Sequence, residues 1–109
     1  MDDRRKRDIK DLINTLFFLL NRQNFHFHQI RIEEKRFRKA VECYATTRTK
    51  LSHVKQIRDF QLLLAENSRQ IKMHHEKLQK YIDLNSDLMG FPLYQKAVAV
   101  LQSTLCATK

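Results

Sequence analysis

The chain has 109 residues, a net charge of +9 and only one glycine and one proline, far below what a fold built on many tight turns uses. That excludes most sheet and α/β architectures, leaves room for one domain over 1–109, and rules out a glycine-rich phosphate loop or dinucleotide fingerprint. Cys43 and Cys106 fit neither a paired metal motif nor a small secreted disulfide scaffold, and read as reduced, structural thiols.

The N-terminus mixes Arg4, Arg5, Lys6, Arg7 and Lys10 with Asp2, Asp3, Asp8 and Asp11. This interleaving reads as a solvated first helical turn, where acids are favourable on dipole grounds, rather than as an import or nucleic-acid signal. No signal peptide is evident. Leu16 to Leu20, an apolar run that no other exceeds in length, is much too short to span a bilayer. The expected location is intracellular, cytoplasmic or nuclear.

From Ile9 onward one residue falls at each three-then-four step: Ile9, Ile13, Leu16, Leu20, Gln23, Phe27, Ile30, Glu34, Phe37, Val41, Tyr44, Arg48. Such a heptad seam, with no glycine or proline inside it, predicts one helix over about 4–49. A turn at about 49–52 follows from the poor helix formers Thr46, Thr47, Thr49 and Ser52, with Thr49 or Ser52 as the cap of the next helix.

A second helix, about 52–89, carries the seam Ile57, Phe60, Leu64, Asn67, Ile71, His74, Leu78, Tyr81, Asn85, Leu88 and stops at a Gly90 C-cap. With the turn between Lys50 and Leu51, facing residues have numbers totalling about 101. That register sets Glu34 against Asn67 as a polar layer that fixes pairing, Phe27 against His74, and Cys43 level with Arg58.

Pro92 opens a third helix over about 92–107, with Leu93, Ala97, Val98, Leu101 and Leu105 at helical spacing. It is expected to cover the first helix around Leu16–Leu20, which is apolar nearly all round. The predicted fold is therefore all-α: a long antiparallel helical hairpin of coiled-coil type, plus a short C-terminal helix packed at the open end.

Chemistry finds little support. No serine lies in a nucleophile elbow, and His74 and His75 before Glu76 lack the second histidine of a zincin helix. His26 and His28 point to different sides of a helix, so they do not form a metal pair. No enzyme activity, cofactor or metal is expected.

Residues 31–58 hold nine Lys/Arg against three acids, so the charge excess is concentrated near the turn. Arg36, Arg38, Lys39, Lys55 and Arg58 lie there together with the off-seam apolar residues Ile32, Leu62 and Leu63. Apolar residues beside a positive surface suit docking to an acidic protein. These eight are the candidate partner-binding residues of a structural or adaptor subunit in a larger complex, with Phe25 a further candidate beside them. Phosphate backbones of RNA or DNA are the alternative partner. A dimeric four-helix bundle is another way to bury the apolar residues, and an anionic membrane meeting Leu12–Leu20 is the weakest reading.

Overall fold

The computed structural model describes residues 3–107, with side chains through Leu105; Asp2 and the Cys106 thiol lie outside the described residues. Three α-helices follow one another, α1 (Asp3–Glu42), α2 (Thr47–Leu84) and α3 (Pro92–Ala107), with a 3₁₀ turn at Ser86–Leu88 and no strand among the described residues. The fold is the expected all-α one: α1 and α2 are long helices that pack together as a hairpin, and the short α3 packs against their residues in the core. No helix among the described residues is long and apolar enough to cross a membrane.

The turn lies at residues 43–46, six residues earlier than the sequence suggests. Tyr44 sits at φ 55, in the left-handed region. Around it the Ala45 amide donates to the Ala40 carbonyl at 2.9 Å and the Tyr44 amide to Val41 at 3.2 Å, the two bonds of a Schellman cap. Thr46, rather than Thr49 or Ser52, then caps α2: its Oγ1 accepts from the Thr49 amide at 3.2 Å.

The earlier turn changes the register. Arg22 bonds Asn67 and Tyr81 reaches Asp8, pairs whose numbers total 89 instead of about 101. The layers Glu34–Asn67 and Phe27–His74 are therefore not formed, and Cys43 lies exposed in the turn instead of level with Arg58.

At the other end α2 stops at Leu84, five residues short of expectation. Asn85 turns its side-chain amide back onto the Tyr81 carbonyl at 2.7 Å. Gly90 has no positive φ, so it is not a left-handed cap.

The chain forms two compact units, Met1–Asn21 with Ser68–Lys109, and Arg22–Asn67. In the first, Ile9, Ile13, Leu16 and Leu19 of α1 meet Ile71, Leu78 and Ile82 of α2, Leu88, and Ala97, Val100 and Leu101 of α3 in one apolar core. Burying each large aliphatic side chain contributes about 1.5–3 kcal/mol before ordering entropy. On α3 Val100 and Thr104 face inward and Leu105 faces out, a shift from the predicted stripe.

Phe17 and Phe18 remain exposed, with the Lys96 ammonium of α3 5.8 Å from the Phe17 ring centroid. The Arg5 guanidinium fastens the start of α1 to Asn85 at 3.1 Å and Asp87 at 3.0 Å. Because Ile13, Leu16 and Leu19 are core residues, the Leu12–Leu20 stretch does not offer its main apolar stripe to a membrane.

Candidate partner-binding surface

The second unit, residues 22–67, pairs the C-terminal half of α1 with the N-terminal half of α2. Its interior is mostly polar. Ile30 is its one buried large aliphatic among the described residues, alongside buried Gln23, His26, Glu33 and Asn67.

Buried polar groups are tolerated where hydrogen bonds replace lost water. Glu33 receives the Arg36 Nη1 donor at 2.6 Å and stands 3.1 Å from His53 Nδ1. The Gln56 amide, oriented to donate, lies 3.0 and 3.1 Å from its two oxygens. Arg22 Nε donates to Asn67 Oδ1 at 2.6 Å. The His26 ring sits 5.9 Å from Phe25 and 6.4 Å from Phe60, with its Nδ1 unpartnered. Burial first, then the Arg22 charge, holds its pKa below the ordinary histidine value.

These contacts identify the inward positions as Gln23, His26, Ile30, Glu33 and Phe37 on α1, and His53, Ile57, Phe60, Leu64 and Asn67 on α2. The α2 seam agrees with the sequence reading. On α1 every second position moves back by one residue, so His26 and Glu33 are inside while Phe27 and Glu34 face solvent.

That shift divides the predicted site residues between two faces of the unit. In an antiparallel pair each flank is built by equivalent heptad positions of both helices. One flank carries Phe25, Ile32, Arg36 and Lys39 of α1 with Leu63 of α2; the other carries Arg38 of α1 and Arg58 of α2, with Lys55 and Leu62 at its outer edge. Ile32 is half-buried, while Leu62 and Leu63 are 65% and 51% exposed. Arg36, largely exposed, is ion-paired with Glu33.

The second flank also holds residues that the sequence reading had placed inside or passed over. Phe27, Val41, Leu51 and Val54 are all exposed there, and Arg31 stands level with Arg58. The missed signal is a second periodic set, His26, Glu33 and Ala40, one residue before Phe27, Glu34 and Val41. Arg31, Arg38, Lys39, Lys55 and Arg58 are solvent-exposed, and each lacks an ion pair within the described residues.

Among the described residues no cluster of three or more metal-ligating side chains forms. Two open depressions of about 400 Å³ lie in the first unit, one lined by Lys6, Phe91, Pro92 and Leu93, the other by α2 residues from His75 to Leu84. No family model, curated protein or solved structure matches the chain.

Proposed function

We propose that the protein is a non-enzymatic structural or adaptor subunit whose residues 22–67 dock onto an acidic protein surface within a larger assembly. One observation carries this reading: that unit buries one large aliphatic residue, Ile30, while Phe25, Phe27, Val41, Tyr44, Leu51, Val54, Leu62 and Leu63 are exposed. A pair of helices with most of its large apolar side chains outside gains stability when a partner covers them.

The surrounding cations steer an acidic partner and set its orientation. The inward polar groups support a non-catalytic role, since buried Glu33 and Asn67 and half-buried His53 are engaged in joining helices. The unpaired cations also support a second reading, an arm that holds RNA or DNA phosphates by counterion release. Interleaved apolar side chains favour the protein partner.

Gradient sedimentation of the full chain, in extract of the cells that make it, tests the choice. An adaptor migrates in an assembly much larger than its own 13.2 kDa, and the assembly survives nuclease. Sedimentation as a free monomer overturns the reading. Collapse of the complex on nuclease treatment replaces it with the nucleic-acid arm.

A further inference from the structure

We infer that the basic flank of the 22–67 unit is a groove that docks an acidic amphipathic α-helix of the partner protein. The inference rests on the adaptor reading and names the partner's chemistry.

Phe27 and Val41 of α1 and Val54 of α2 are 43%, 48% and 39% exposed. Heptad position places them on one side of the helix pair, next to the inward residues, where a third helix packs in a three-stranded coiled coil. Phe27 and Val41 are fourteen residues apart, so the strip runs about 21 Å at 1.5 Å per residue, the length of a four-turn helix.

The charges on this flank select the occupant. Arg31 and Arg38 border the strip on α1 and Arg58 borders it on α2, level with Arg31. All three are exposed and without an ion pair in the described residues. Glu34 is the one acid of the strip and faces solvent. On the opposite flank Arg36 is paired with Glu33, and by heptad position Asp59 and Glu66 lie along the same side as Lys39, so that side lacks a comparable net excess.

A helix with apolar residues at heptad spacing and Asp or Glu on both shoulders matches the basic groove in shape and sign. Lipid or nucleic acid offers the negative charge without the i, i+3, i+4 apolar anchors. A second copy of this chain would bring its own cations against the strip.

The test places the photo-cross-linker p-benzoylphenylalanine at position 54 in one version of the full chain and at position 63 in another, expressed in the native cells. Mass spectrometry then identifies the captured segments. The inference expects capture at 54, and not at 63, of a segment with heptad apolar residues and a net negative charge. That segment, made as a peptide, should bind the purified chain about tenfold or more weakly when Arg31, Arg38 and Arg58 are changed to Ala, and Val54→Glu should abolish binding.

Circular dichroism keeps these results interpretable, since all four positions are solvent-accessible and helix content should not change. Capture of RNA, of another copy of the chain or of a segment without net negative charge overturns the inference, as does capture at 63 alone. Absence of capture at 54 while the nuclease-resistant assembly persists overturns the groove and leaves the adaptor reading standing. Sedimentation of the unsubstituted chain as a free monomer overturns both.

Discussion

The Ala45 amide donates to the Ala40 carbonyl at 2.9 Å across Tyr44, which stands at φ 55. An L side chain in the left-handed region costs about 1–2 kcal/mol, which glycine avoids at the expense of greater freedom in the unfolded chain. Tyr44 is 94% exposed, so little packing is lost by truncating it. Tyr44→Gly is expected to raise stability by about 0.5–1 kcal/mol, read as a higher urea midpoint. A lower midpoint would mean that the ring supports the turn.

The position of the turn was hidden from sequence reading for this reason. A helix end is normally announced by Gly or Asn at the left-handed position, and here it is a tyrosine. The threonines are legible as punctuation, but nothing in the local sequence singles out Thr46 among them as the cap.

Gly90 gives the converse case. It looked like a cap, yet its φ is not positive and a Cβ there would meet nothing within 4 Å. Gly90→Ala is expected to be neutral or to stabilise by up to about 1 kcal/mol, by restricting the unfolded chain. A clear fall in melting temperature would show that the glycine's freedom is used.

The α2 seam was legible because its apolar residues leave one consistent stripe. On α1 two stripes compete. Phe27 and Val41 outweigh His26 and Ala40 on hydrophobicity, and Glu33 and Glu34 are equivalent as isolated residues. What decides is long-range: His53 and Gln56 of α2 are placed to satisfy Glu33, and nothing in the local sequence of α1 records that. The cation-rich, apolar-studded segment was therefore visible, but its division between two flanks was not.

The two units should respond differently to truncation. Leu16 is fully buried in the apolar core of the first unit, and Leu16→Ala is expected to cost about 2–5 kcal/mol. Glu33→Ala removes an acceptor from Arg36, His53 and Gln56. Since Arg36 is largely exposed and its freed donors are rehydrated, the expected cost is smaller, about 1–3 kcal/mol. Hydrogen exchange by mass spectrometry checks both, with Glu33→Ala accelerating exchange mainly within residues 22–67. Equal acceleration throughout would mean that the two units open together.

Acid should weaken the fold through two histidines. In the 22–67 unit the His26 pKa is lowered by burial and then by Arg22; in the other, the His74 pKa is lowered by burial and then by Lys77. Above the unfolded value of 6.5 both rings are neutral, folded or not, and stability does not change with pH on their account. As pH falls through 6.5 the unfolded chain takes up protons that the folded chain refuses, so unfolding is favoured until the lowered folded-state values are reached. Urea denaturation at pH 7.5 and 5.5 should therefore show lower stability in acid. His26→Leu fills the site beside Phe25 and Phe60 without an unpartnered nitrogen, and should remove the His26 part of that loss. A variant with the same pH dependence as the parent would mean that other groups govern it.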